Sequence, residues 1–193
     1  MEGKILIVDN YDSFTYNLVY MVKKLYGKNP DVFRHDEISL DNVENYEKII
    51  LSPGPGIPNE FNLLNSLIKV YSSTKSILGI CLGLQAIGVA FGAKLITTKK
   101  VYHGISHYIQ VNDSKEVLFK GLQRKFKAGR YHSWVLSKED FPNDLKITAL
   151  GPLNEIMAIR HKTYEVRGLQ FHPESILTTQ GERIIGNWLR LPL

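Results

Sequence analysis

The stretch that most constrains this chain is Ile77-Leu78-Gly79-Ile80-Cys81-Leu82-Gly83-Leu84-Gln85. An apolar, β-prone run ends at Gly79-Ile80, the single cysteine follows at once, and from Gly83 the pattern reads as helix through about Phe91. Glycines two positions to either side of Cys81 let the chain turn sharply and let other backbone come close, because they lack the Cβ that blocks strained dihedrals. A strand that turns into a helix in this way makes a nucleophile elbow. The thiol then sits at a helix N-terminus, where unpaired N–H groups favour negative charge and can receive a developing oxyanion. A lone intracellular cysteine is also often a small buried hydrophobe, and residues downstream decide between the two.

A chain of 193 residues is long enough for one substantial core, and no linker, repeat or low-complexity segment divides it, so residues 1–193 are expected to form a single domain. One cysteine excludes an intrachain disulfide framework and suits a reducing compartment. The opening residues lack a basic segment followed by an apolar one, and no apolar run reaches membrane-spanning length, so a cytoplasmic protein with no membrane partner is expected. The formal charge of +5 is a modest bias. Its densest basic run, Lys120, Arg124, Lys125, Lys127 and Arg130, lacks interleaved stacking aromatics and is expected to face solvent or a partner protein rather than nucleic acid.

In chain order, residues 4–9 read as a strand ending in Asp9. Asn10-Tyr11-Asp12-Ser13 makes the turn, with Asp12 or Ser13 as N-cap of a helix whose apolar face carries Phe14, Leu18, Met21, Val22 and Leu25. Residues 31–34 form a second strand and 49–51 a third, nearly all apolar. The third runs into Ser52-Pro53-Gly54-Pro55-Gly56-Ile57-Pro58, where three prolines exclude helix and central strand and backbone N–H groups are offered only where the glycines sit. That loop is either a stiff connection or a wall holding donors beside Cys81. Residues 61–71 read as helix with Phe61, Leu64, Leu67, Ile68 and Tyr71 inward, and 76–80 as the strand that delivers Cys81. Strands alternating with helices imply a parallel α/β layer, whose chemistry lies beyond the carboxyl ends of the strands. Asp9, the Gly54 loop and Cys81 all lie at such ends. After Gly92 the pattern changes to short strands at 93–96, 108–111, 125–128 and 147–150, then a hairpin of 156–161 with 166–171, and a last helix over 180–189 with Ile184, Ile185, Trp188 and Leu189 inward.

A cysteine nucleophile needs an imidazole, and the imidazole needs an acceptor that fixes its tautomer. His172-Pro173-Glu174 directly follows the last strand and supplies both, with Glu174 accepting the second ring N–H. Of the six histidines, His132 in Arg130-Tyr131-His132-Ser133-Trp134 is the runner-up, as a pocket residue, while His35, His103, His107 and His161 lack a comparable local argument. No ligand spacing for structural zinc, no phosphate-binding loop and no dinucleotide fingerprint is found.

With these residues in hand, the chain resembles the class I glutamine amidotransferase family, and within it the subunits whose partners aminate chorismate. The resemblance covers almost the whole chain. It rests on Asp9-Asn10-Tyr11-Asp12-Ser13-Phe14-Thr15-Tyr16-Asn17-Leu18, Leu51-Ser52-Pro53-Gly54-Pro55-Gly56, the Cys81 segment, Arg130-Tyr131-His132-Ser133, and Gly168-Leu169-Gln170-Phe171-His172-Pro173-Glu174-Ser175. It implies a flavodoxin-like, three-layer α/β domain with a mixed, mostly parallel central sheet and a small antiparallel section. It implies Cys81 as nucleophile, His172 as base and Glu174 as its orienting partner. The N–H groups of Leu82 and Gly54 would form the oxyanion hole, with Gly56 an alternative to Gly54, and Gly56, Gln85, Ser133 and Trp134 would hold L-glutamine.

The same resemblance implies contact or coupling with a synthase at Asn10, Tyr11, Asp12, Ser13, His103 and Gly104, although Ile105 stands where relatives commonly carry lysine. The partner would be anthranilate synthase component I or the large subunit of aminodeoxychorismate synthase, or one chain would serve both. This chain would need no cofactor and no metal, with magnesium on the synthase. From a different class, a catalytically silent regulatory subunit would lack a member of the triad, and a free-standing γ-glutamyl hydrolase would turn over without a partner.

Overall fold

The computed structural model describes residues 3–98 and 100–192. Strands β1 (Ile5–Asp9), β2 (Asp31–Arg34), β3 (Lys48–Leu51) and β4 (Ser76–Ile80) alternate with helices α1 (Thr15–Tyr26), α2 (Leu40–Val43), α3 (Asn62–Tyr71) and α4 (Leu82–Ala90). There follow β5 (Leu95–Thr97), β6 (Ile105–Val111), β7 (Lys125–Arg130), β8 (Trp134–Leu136), β9 (Leu145–Leu150), β10 (Ile156–His161), β11 (Val166–Leu169) and the last helix α5 (Gly181–Leu189). Nine strands form one mixed sheet in the order β2-β1-β3-β4-β11-β10-β9-β6-β7, and β5 pairs with β8 in a separate antiparallel sheet. Pairing is parallel from β2 to β11 and antiparallel from β11 to β7.

The strands around the elbow have apolar residues on both faces, as a sheet covered on both sides requires. In β1, Ile5 and Ile7 join the core under α1 and α5, whereas Leu6 and Val8 join the core under α3 and α4. The same alternation divides Leu78 and Ile80 from Ile77 in β4. The resulting three layers, helices, sheet, helices, match the expected fold class. Ile184, Ile185, Trp188 and Leu189 are buried from α5, as its apolar spacing requires.

Several local expectations need correction. Phe14, not Asp12 or Ser13, occupies the N-cap of α1, while the Asp12 carboxylate accepts the Phe14 N–H at 2.8 Å. Phe14 turns from the α1 core towards His172. Pro58 opens a short 3-10 turn over Pro58–Glu60, a position where its missing N–H costs nothing. The short α2 and β8 were not marked by a periodic pattern, and β6 and β7 run further than their apolar residues suggested, because cross-strand pairing carries them through polar positions. Arg130, counted with the basic surface run, is fully buried.

Lys48 is nearly buried at the end of β3 remote from Cys81, donating to the carbonyl of Leu191 at 2.9 Å with its ammonium over the Trp188 ring. Burial pushes its pKa down to about 8. An unfolded lysine keeps its proton to about pH 10.4, so above about pH 8 the unfolded chain binds more protons than the folded one and the Lys48 contribution to stability rises with pH. Urea unfolding of the wild type and Lys48→Met between about pH 7 and pH 10 should show stability moving in favour of the wild type as pH rises. A difference that stays constant would contradict this assignment.

Candidate functional site

The elbow is built by a close approach of α4 to the sheet. A Cβ on Gly79 would fall on the Gly83 carbonyl group, and a Cβ on Gly83 would fall on the carbonyl oxygen of Leu51 in β3. Register places Gly79 of β4 between Leu51 of β3 and Gly168 of β11, so small residues lie beneath the first turn of α4. Cys81 bridges strand and helix with φ 52 and ψ −101, a conformation a residue with a Cβ rarely adopts. Its N–H donates to the carbonyl of Leu169 at 2.7 Å and its carbonyl accepts from Gln85 N–H at 3.1 Å, which fix the turn from both sides.

The thiol opens on a cleft of about 540 Å³, lined among others by Gly54, Gly56, Leu82, Gln85, His103, Ser133 and Trp134. Seven residues that the sequence singled out therefore share one cleft with Cys81. Gly54 packs so closely on Asn10 and Leu82 that a Cβ would lie 2.6 Å from the Asn10 carbonyl oxygen and 2.9 Å from a Leu82 methyl. Asn10 holds this loop through two bonds, its N–H to Ser52 Oγ at 2.9 Å and its Nδ2 to the Ser52 carbonyl at 2.8 Å. Gly56 takes a positive φ of 78°.

Behind the thiol, His172 Nδ1 and Glu174 Oε1 are 2.6 Å apart, and both side chains are buried. Pro173 between them belongs to a turn, not to extended strand, and His172 N–H donates to the carbonyl of Gly129 at 3.0 Å. Burial disfavours the charged ring, but the Glu174 carboxylate and Cys81 outweigh it and hold the pKa of His172 well above its ordinary value. Nε2, the ring atom remote from Glu174, is buried and has no hydrogen-bond partner among the described residues. Tyr131 and Phe14 pack edge-on against the imidazole with ring centroids at 4.9 and 5.9 Å.

His132 lies in the wall of the cleft and is held neutral. Burial and the Arg130 guanidinium push its pKa down to about 3. Arg130 Nε donates to His132 Nε2 at 3.1 Å, so the ring proton lies on Nδ1, which faces the Trp134 carbonyl at 3.0 Å. Arg130 is paired to Glu155 at 2.7 Å and stacks over Tyr102 at 3.7 Å.

The residues expected to couple to a partner divide. Tyr11 and Ser13 are exposed, Asp12 is half-buried, and His103 reaches the cleft mouth, where its ring approaches Tyr131. Gly104 is exposed beside Tyr131 with φ 68. Asn10 is fully buried, which removes its side chain from direct contact and makes it a brace for the Gly54 loop.

The model of the glutamine amidotransferase class-I family matches residues 6–191. The chain belongs to that family. Among curated amidotransferase relatives, it is 47% identical over 191 residues to anthranilate synthase component 2 of Saccharolobus solfataricus, covering 95% of this chain and 96% of that one. It is 44% identical to anthranilate synthase component 2 of Pseudomonas aeruginosa, covering 96% and 94%. A solved glutamine amidotransferase of Thermotoga maritima shares the fold with a TM-score of 0.79 at 13% identity, over 98% of this chain and 97% of that one.

The sequence assigned no part in the site to four residues that the structure brings to it or behind it. Phe14, Tyr131 and Gln170 stand inside the quoted motifs, so their positions were visible but their contacts were not. Glu155 carries no local signal and becomes the partner of Arg130 only through the fold.

Both Gly83 and Gly186 are helical, and propensity alone favours alanine by about 1 kcal/mol at either. Gly186 has room for a Cβ, with its nearest neighbour at 3.6 Å on the Arg190 side chain, whereas Gly83 has none. Thermal unfolding should therefore show Gly186→Ala neutral or stabilised and Gly83→Ala destabilised by about 1–3 kcal/mol. Equal behaviour of the two would remove the close approach as the cause of the elbow.

Proposed function

We propose that this chain is the glutaminase subunit of an anthranilate synthase. The observation that carries this reading is the thiol on a strained elbow beside a buried His172–Glu174 pair, in one cleft with Gly54, Leu82, Gln85, Ser133 and Trp134. The names of the relatives at 47% and 44% identity supply the choice of synthase. Residues 1–193 act as one catalytic unit.

The Cys81 sulfur attacks the side-chain amide carbon of L-glutamine. The carbonyl oxygen, now an oxyanion, is received by the N–H of Leu82 at the start of α4 and by that of Gly54. Gly54 is favoured over Gly56 because it packs directly on Leu82, whereas a Cβ on Gly56 would meet Glu60 and Phe61. His172, charged through Glu174, gives its Nε2 proton to the departing nitrogen, and ammonia leaves as the C–N bond breaks. The γ-glutamyl thioester remains on Cys81. Neutral His172 then takes a proton from water as its oxygen attacks that carbonyl, and the C–S bond breaks to release glutamate and restore the thiolate–imidazolium pair.

Gln85, Gly56 and the Ser133-Trp134 backbone hold the amino-acid end of the substrate. Both amide hydrogens of Gln85 are engaged, on the Trp134 carbonyl at 3.1 Å and on Gln170 Oε1 at 3.2 Å, so Gln85 offers its oxygen to the substrate ammonium. The Ser133 carbonyl already accepts Thr98 N–H at 2.8 Å, which leaves the N–H groups of this wall for the substrate carboxylate.

Thiol, imidazole, carboxylate and backbone donors supply every step, so this chain needs no cofactor. Magnesium belongs with the partner, anthranilate synthase component I, which receives ammonia and aminates chorismate. Tyr11, Asp12, Ser13, His103 and Gly104 form the docking rim. Contact at His103 reaches the His172 ring through Tyr131, which packs on both. A reducing, cytoplasmic setting keeps the single thiol available. Among the described residues no helix is long and apolar enough to cross a membrane.

The test mixes this chain with an anthranilate synthase component I and follows anthranilate formed from chorismate. With glutamine the wild type should support formation and Cys81→Ala should lose it by at least about a thousandfold, while added ammonium restores it in both. Glutamine-dependent anthranilate from the Cys81→Ala complex would overturn the proposal, as would glutamine-dependent product only with an aminodeoxychorismate synthase large subunit.

A further inference from the structure

We infer that Gln170 is a further catalytic residue, an amide donor to the Cys81 sulfur whose orientation is imposed by the Trp134 carbonyl acting through Gln85. The inference rests on the reading of Cys81 as nucleophile. Gln170 is fully buried where the chain leaves β11, two residues before His172, and its N–H is tied to the Met157 carbonyl at 2.9 Å. Its side-chain Nε2 stands 3.5 Å from Cys81 Sγ, a normal separation for a hydrogen bond to sulfur.

The direction of that bond follows from the groups behind it. Arg130 is always a donor, and its Nε–H facing His132 Nε2 at 3.1 Å makes that ring atom the acceptor. The ring proton therefore lies on Nδ1 and is given to the Trp134 carbonyl at 3.0 Å. A carbonyl only accepts, so the Gln85 atom at 3.1 Å from the same oxygen is its amide nitrogen. The second hydrogen of that nitrogen faces Gln170 at 3.2 Å, which must present oxygen in return. With its oxygen committed to Gln85, Gln170 has only its NH₂ group to turn towards Cys81. His132 stays neutral across the working range of pH, so the groups behind Gln85 hold one arrangement.

A donor aimed at sulfur favours the thiolate over the thiol and over the thioester, in which sulfur carries no charge. It stabilises the attacking species before reaction and the leaving thiolate when the thioester is hydrolysed. Gln170 does not line the cleft with Gln85, so it acts on the sulfur without holding the amino-acid end of the substrate.

The test compares the wild type with Gln170→Met, which keeps length and apolar bulk but cannot donate, and with Gln170→Glu, which places a carboxylate there. Cys81 is the single cysteine, so its alkylation by iodoacetamide reports on the sulfur directly. Near about pH 7 the Met variant should react about tenfold more slowly, because its sulfur has lost a donor. The Glu variant, with a carboxylate beside the sulfur, should be slower still. In the complete complex, glutamine-dependent kcat should fall about tenfold in the Met variant while KM for glutamine changes less than about twofold. Equal alkylation rates in the wild type and the Met variant, or a loss confined to KM, would each overturn the assignment. Because alkylation does not require turnover, these outcomes are separate from a failure of the glutaminase reading.

Discussion

The contact on which the rest of the site depends is backbone against backbone, Gly83 of α4 against Leu51 of β3 and against Gly79 of β4. Helix and sheet approach there as closely as two chains without intervening side chains can. The chain between them has one residue in which to turn, and that residue is Cys81 at φ 52. Holding a residue with a Cβ in such a conformation costs on the order of 1–3 kcal/mol. Apolar cores on both faces of the sheet outweigh that cost, with Ile80 and Leu78 packed on one side and Leu84 and Ile87 on the other. The strain places sulfur at the carboxyl edge of the parallel strands, at the mouth of a helix whose first N–H groups lack partners within the helix.

Around this apolar elbow the polar groups are few, buried and mutually committed. Glu174 fixes His172 from one side, and Phe14 and Tyr131 restrain the ring from others. Arg130 and Glu155 neutralise each other inside the protein and leave His132 uncharged, which lets it act as a fixed dipole instead of a titrating group. Removing one partner of such a buried pair leaves an uncompensated charge, so Arg130 and Glu155 are expected to depend on each other for folding as well as for the shape of the cleft wall. Asn10 performs the same service for the Gly54 loop through two bonds to Ser52.

Much of this was legible in the sequence because it is local. Apolar runs, their spacing from amphipathic stretches and the Gly-x-Cys-x-Gly segment are one-dimensional signs of a three-dimensional constraint, and they placed β1, β3, β4, α3, α5 and the elbow to within a few residues. His172 and Glu174 were recognisable because donor and acceptor lie two residues apart. What was not legible is whatever depends on residues distant in the chain. Glu155 meets Arg130 only after β7 and β10 enter one sheet, Phe14 reaches His172 across the molecule, and the burial of Arg130 contradicts its membership of a basic run. β8 carries no periodic trace because it is three residues paired in a separate sheet, and Asn10 was expected at contact or coupling with a partner because a turn sequence does not reveal that its side chain points inward.

The most direct test is to look for the covalent intermediate on the elbow itself. Acid-quenched mixtures of the assembled complex and isotopically labelled glutamine can be digested and their peptides weighed. A γ-glutamyl group on the peptide containing Cys81, labile to mild base as a thioester should be and absent from Cys81→Ala, is the predicted result. Sustained glutamine hydrolysis with no adduct under conditions that trap thioesters, or an adduct on any other residue, would contradict it.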